Sequence, residues 1–213
     1  MKTIYTFVIL STLVFLSACA GFRVAGEVEA GRQALLTGKP DAALARFQNA
    51  AQMDPAYVMK FSPLQQSVWT YLGKTYYTTG KLAEARQALE RASSMQRDDH
   101  LARLYLGLTL SKNGSREKGL REIESGMKGL HDWLEFISYN TTYGEFWDPS
   151  RKIRSELETN LAMISGKDIE WQRLLSGGEW IGKKLEAEID LARRDRALDR
   201  RGDRDDNDGG EEP

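Results

Sequence analysis

Few side chains in this sequence are of a type and spacing that could do chemistry. Cys19 is the single thiol among 213 residues. Alone it rules out an internal disulfide, and it offers one nucleophilic sulfur that can carry a covalent group. His100 and His131 are the only histidines, too few with one Cys for the usual four-ligand zinc site of Cys/His type. Each opens a repeat-like unit, and neither has a second ligand nearby in sequence. Glu122 with Glu124 and Glu156 with Glu158 are carboxylate pairs, but side chains two apart on a helix face different sides. Phosphate-cradling G-x-x-x-x-G-K-[ST], nucleophile-elbow G-x-S-x-G and metalloprotease H-E-x-x-H sequences do not occur. Asp203-x-Asp205-x-Asn207 begins like a calcium loop, yet Asp208 stands where the turn glycine must be. The residues therefore point away from an enzyme, a metal site or a bound cofactor, apart from a group carried on Cys19. Lys and Arg number 30 against 31 Asp and Glu, a formal charge of -1, which removes the basic footprint that non-specific nucleic-acid binding needs.

The surroundings of Cys19 say what it would carry. Lys2 precedes an apolar run from Ile4 to Leu16, 13 residues long, and a membrane-spanning helix needs about 20. Such a run at an N-terminus reads as an export signal. Leu16-Ser17-Ala18-Cys19 resembles the bacterial lipoprotein signal. The resemblance implies that residues 1–18 are removed, that the Cys19 thiol takes a diacylglyceryl group and its new amine an acyl chain such as palmitoyl, and that residues 19–23 form a lipidated tether. Two or three acyl chains at one residue hold a protein stably on a membrane. Ala18-Cys19-Ala20 also fits ordinary secretion with cleavage after Ala20. The residue after the cysteine is Ala20, not Asp, which in the lipoprotein pattern implies the outer membrane, facing the periplasm, over the inner membrane.

The elements behind this segment repeat. Trp69, Leu72, Gly73, Tyr76, Gly80, Ala85, Leu89 and Ala92 recur after 34 residues as Leu106, Gly107, Leu110, Gly114, Gly119, Ile123 and Gly126, with Arg103 in place of the tryptophan and glycine in place of the two alanines. Upstream, Gly31, Ala34, Gly38, Ala43, Phe47, Ala50 and Pro55 fit the same template at an offset of 42, leaving an eight-residue insertion. The spacing resembles the tetratricopeptide repeat. Small residues there let two antiparallel helices approach while aromatic and aliphatic side chains fill the space between them. The resemblance implies an all-α, right-handed α-solenoid of three helical hairpins at 24–57, 66–99 and 100–133, within a repeat region spanning 24–133. Ser62-Pro63-Leu64-Gln65 reads as a capping box with proline at the first helical position. It predicts an extended first helix of the middle repeat from Pro63 to Thr79.

Residues 134–192 read as a helical cap on the last repeat. Trp133, Phe136, Tyr139, Tyr143, Phe146 and Trp147 predict an apolar plug with a break near Asn140 to Gly144. Asp148-Pro149 predicts a helix start, with Ile153, Leu157, Leu161 and Ile164 on one face. A short helix from Asp168 is expected to stop at Gly177-Gly178, and a last helix from Glu179 carries Ile181, Leu185, Ile189 and Ala192. Residues 193–213 read as a fraying helix end and a disordered charged tail, net +3 over Arg193–Arg201 and -5 over Gly202–Pro213.

What the repeat resemblance implies for function is a concave groove lined by the first helix of each pair. Its positions here are Ser67, Thr70, Lys74, Tyr77 and Thr78 in the middle repeat. In the first they are Val28, Arg32, Leu35 and Leu36, and in the third Leu101, Leu104, Leu108, Ser111 and Lys112. The family's Lys/Asn carboxylate clamp is missing, so capture of a free peptide C-terminus is not implied. A groove this apolar either receives a partner helix or is filled by the chain's own C-terminal helices. The expected function is a membrane-anchored scaffold that binds another envelope protein through Arg32, Ser67, Thr70, Lys74, Tyr77, Leu104, Leu108 and Lys112 and supports assembly or secretion. In layout this resembles outer-membrane repeat lipoproteins such as type IV pilus pilotins. The alternative is a self-capped structural subunit that acts by oligomerising. No nucleic acid and no small-molecule substrate is expected.

Overall fold

The computed structural model describes residues 21–61, 64–166 and 168–208. Cys19 and its signal lie outside these residues, as do Ser62, Pro63 and the last five. Three helical hairpins come first: α1 (21–36) with α2 (Pro40–Met53), α3 (Val68–Thr78) with α4 (Leu82–Met95), and α5 (His100–Lys112) with α6 (Arg116–Asn140). Two further helices follow, α7 (Lys152–Ser165) and α8 (Trp171–Asp208). The architecture is an all-α helical repeat, as the sequence spacing leads one to expect. A two-stranded antiparallel hairpin, β1 (Val58–Phe61) with β2 (Leu64–Ser67), is its one β element among the described residues.

One turn closes all three hairpins. Gly38, Gly80 and Gly114 have φ of 72°, 76° and 86°, a left-handed conformation that costs other residues about 1–2 kcal/mol. At each, the glycine N–H donates to a carbonyl three residues back and the next N–H to one five back, as in Gly80 to Tyr77 (3.1 Å) and Lys81 to Tyr76 (2.9 Å). The crossings recur as well: Gly31 faces Phe47, Gly73 faces Leu89 and Gly107 faces Ile123. In the third pair the contact is backbone against backbone. A Cβ on Gly107 would lie 2.5 Å from the Ile123 nitrogen, one on Gly119 2.7 Å from the Gly107 carbonyl oxygen, and one on Gly126 2.6 Å from the Leu104 nitrogen. That closeness explains why glycine replaces Ala85 and Ala92 at the matching positions.

Two apolar clusters form the core. One joins Val24, Val28, Phe47, Met59 and Tyr71, with Phe47 and Tyr71 stacked at 5.0 Å. The other runs from Leu89 through Leu104, Leu108, Ile123 and Leu134 to Leu157, Leu174, Ile181 and Leu185. Trp69 and Tyr76 touch both.

Four local expectations are corrected. The eight-residue insertion is a β-hairpin, and the middle repeat's first helix begins at Val68, not Pro63. The Val68 N–H donates to the Tyr57 carbonyl (3.0 Å), which holds the preceding residues extended, and Ser67, not Ser62, caps α3 by accepting from the Thr70 N–H (3.2 Å). Second, α6 runs on to Asn140, so the aromatic row is split. Trp133 meets Trp147 edge-on at 5.2 Å, whereas Phe136 and Tyr139 are 62% and 76% exposed. Third, α7 starts at Lys152. Asp148 caps it from within a turn that holds Arg151 at φ 56°, its carboxylate accepting from the N–H groups of Ile153 and Arg154 at 3.0 Å each. Fourth, α8 passes unbroken through Gly177-Gly178 and through the stretch expected to fray, to Asp208. Those glycines mark a crossing: a Cβ on Gly177 would lie 2.5 Å from Asn160 Oδ1 and one on Gly178 2.9 Å from Leu108.

Candidate interaction groove

Helices α1, α3 and α5 line the concave face, and α8 lies along it. Ile181, Leu185 and Ile189 of α8 are fully buried. Gly178 lets the helix settle on Leu104 and Leu108, and a Cβ on Gly182 would lie 2.5 Å from the Tyr105 ring. The groove is therefore occupied by this chain's own helix, and most of the residues expected to face a partner face α8.

Charge fixes how α8 sits. Glu186 is 3% exposed, Arg32 0% and Lys74 4%. The Arg32 Nε donates to Glu186 Oε1, and Lys74 Nζ donates to Oε2 at 2.5 Å. Arg32 also reaches the Glu186 carbonyl at 3.2 Å and Asp190 at 3.3 Å. Burial alone would push the Glu186 carboxyl up, but the Lys74 ammonium and the Arg32 guanidinium hold it below the usual carboxylate range. Burial likewise works against the charge on Arg32, and Glu186 more than offsets it, so the guanidinium is held above its ordinary value. Removing one member of such a buried set costs about 3–5 kcal/mol, because the remaining charge is left uncompensated.

A second anchor lies toward the turns. The Tyr77 hydroxyl donates to Glu179 Oε1 at 2.5 Å, Lys112 Nζ reaches the same oxygen at 2.8 Å, and that ammonium stands 4.4 Å from the Tyr77 ring centre. Burial would raise the Glu179 carboxyl, but the bonds from Lys112 and Tyr77 lower it. Burial and donation to Glu179 both raise Tyr77. Beside these groups a cavity of about 410 Å³ stays open between α8 and the C-terminal ends of α1 and α3, walled by Leu35, Leu36, Gly38, Thr78 and Lys183 among others.

Of the residues expected to line the groove, Arg32, Lys74, Tyr77, Leu104, Leu108 and Lys112 all meet α8. Ser67 and Thr70 do not. They are buried in a relay at the helix starts, where Thr70 Oγ1 donates to Asp99 Oδ2 (2.5 Å) and Asp99 caps α5 by accepting from the Ala102 N–H (2.8 Å). Desolvation raises Asp99 against those bonds. Glu179, Gly182 and Glu186 were not among the expected site residues. For Gly182 and Glu186 the signal was the four-residue step Gly178, Gly182, Glu186 beside the apolar stripe of α8, and Glu179 carried none.

His100 is half-buried, which lowers its basicity, and lines a second cavity of about 300 Å³ with Gln96, Asp98 and Trp133. Among the described residues no cluster of His, Cys, Asp and Glu could hold a metal ion, and no helix is long and apolar enough to cross a membrane.

Residues 34–108 match the family model of the tetratricopeptide repeat. The matched stretch runs from within α1 to within α5 and takes in Lys74, Tyr77, Leu104 and Leu108 of the residues that meet α8. No curated protein and no solved structure matches the chain. Repeats of this kind form protein-interaction scaffolds.

Proposed function

We propose that the chain is a lipid-anchored interaction scaffold of the bacterial cell envelope, held on the periplasmic face of the outer membrane through Cys19, with its groove closed by α8 until a partner protein engages it. Two sequence features support the anchor: the sole cysteine falls at the one position that the Leu-Ser-Ala-Cys signal requires, and Ala20 follows it. The observation that carries the scaffold reading is the groove itself. A concave face built from three hairpins is occupied by a helix whose buried contacts include an ion-pair set and glycine crossings beside its apolar stripe, and the cavity beside that helix leaves part of the face accessible. In this role the protein positions another envelope protein during assembly or secretion.

Two measurements test the reading. Cys19→Ser should move the protein from the membrane to the soluble fraction, and membrane retention of the variant overturns the anchor. A photo-crosslinking residue at Leu36, on the cavity wall, should give adducts to another envelope protein in living cells. Adducts confined to residues 171–192 of the same chain would instead favour the self-capped structural subunit, since α8 already fills most of the groove.

A further inference from the structure

The contacts of α8 define what the groove recognises. Along α8, Gly178, Gly182 and Glu186 follow at steps of four, so they share one face. The two glycines meet α5, Gly178 at Leu104 and Leu108 and Gly182 at Tyr105, and Glu186 meets Arg32 of α1 and Lys74 of α3. The first two positions admit no side chain without collision, and the third is read by two buried cations. We propose that α8 is a stand-in for a partner's helix, and that the groove takes from that partner an amphipathic helix carrying small, small and carboxylate residues at successive four-residue steps.

Charge complementarity argues for this occupant. Arg32 and Lys74 are buried in the groove wall and converge on the two oxygens of one carboxylate, so a helix that displaces α8 without supplying a carboxylate takes Glu186 from both cations, and Arg32 keeps Glu29 of its own helix at 3.0 Å. An arriving helix also has somewhere to begin. The cavity between α8 and the ends of α1 and α3 has apolar walls at Leu35 and Leu36 and a cation at Lys183. The helix to be displaced is a weak one by composition, because Gly177, Gly178 and Gly182 fall within it and glycine lowers helix propensity more than any residue but proline. This recognition rule rests on the scaffold reading and narrows it to one class of partner.

The test uses the full chain and, as probe, a fluorescent synthetic peptide of residues 171–193 followed by anisotropy. In the Glu186→Lys chain the resident helix faces Arg32 and Lys74 with the wrong charge. The peptide should bind that chain at least tenfold more tightly than it binds the wild type. A peptide carrying Glu186→Lys or Gly182→Leu should lose that binding. Equal affinity for the two chains, or equal affinity of the three peptides, overturns the proposal. Circular dichroism checks that the variant keeps its helices. Should it lose them, a Gly182→Leu chain, which dislodges α8 sterically and keeps its carboxylate, takes its place with the same expected gain. The titration needs no cellular partner. Success here without in-cell adducts at Leu36 sinks the scaffold reading alone, and adducts without peptide selectivity sink the recognition rule alone.

Discussion

Glu186 answers two cations with one carboxylate, and its removal is the sharpest test at the scale of a residue. Glu186→Gln keeps the shape and loses the charge, so it should destabilise the fold by about 3 kcal/mol, the lower end for one member of a buried ion-pair set, measured by urea unfolding at pH 7. The pH dependence has a definite sign. Glu186 is held below its ordinary 4.5 in the folded chain, so its contribution is complete above that value and drains away as pH falls through the lower folded one. The stability gap between wild type and Glu186→Gln should therefore narrow as pH drops below 4.5. A gap that stays constant down to acid unfolding would refute the ion-pair account. Asp99 is raised by burial and acts in the opposite direction, but it is common to both proteins and cancels in the difference.

Among the elements, local spacing carried some features and missed others for identifiable reasons. Gly38, Gly80 and Gly114, and the crossings sixteen residues on from Gly31, Gly73 and Gly107, could be read because turn and crossing both lie within one hairpin. The β-hairpin could not, because its strands are four residues each, too short for a period, and Ser62-Pro63 imitates a helix start. Continuation of α8 through Gly177-Gly178 was hidden for another reason: its cause is contact with Leu108 and Asn160, distant in sequence. Glu186 escaped notice likewise, since Arg32 lies 154 residues away. Two glycine substitutions with opposite expected signs test the packing account. Gly107→Ala places a methyl against the α6 backbone and should cost roughly 1–3 kcal/mol. Gly26→Ala in α1 meets nothing within 4 Å and should stabilise by about 0.5–1 kcal/mol through helix propensity. Thermal unfolding of both variants beside the wild type decides the matter, and two shifts of the same sign would contradict the assigned contacts.

At the scale of the whole molecule, α8 ties the third hairpin to the first, from Lys112–Glu179 at one end to Glu29–Arg193 at the other. A repeat array whose hairpins touch only their neighbours can open from its ends. A helix that spans all three joins them in one cooperative unit. Deleting residues 171–213 should therefore lower the melting temperature, broaden the transition and expose Leu104, Tyr105 and Leu108 to a hydrophobic dye. An unchanged, single sharp transition in the truncated chain would show that α8 contributes nothing to cooperativity. The same path of α8 also gives the molecule a front and a back. Arg193 stands 3.3 Å from Glu29, halfway along the sixteen-residue α1, while the open cavity lies by Leu36 and Gly38 at the far end of that helix, about 10 Å further on at roughly 1.5 Å per residue. The doorway therefore opens at the C-terminal end of α1, while α8, running antiparallel to it, carries Arg193 toward the opposite end.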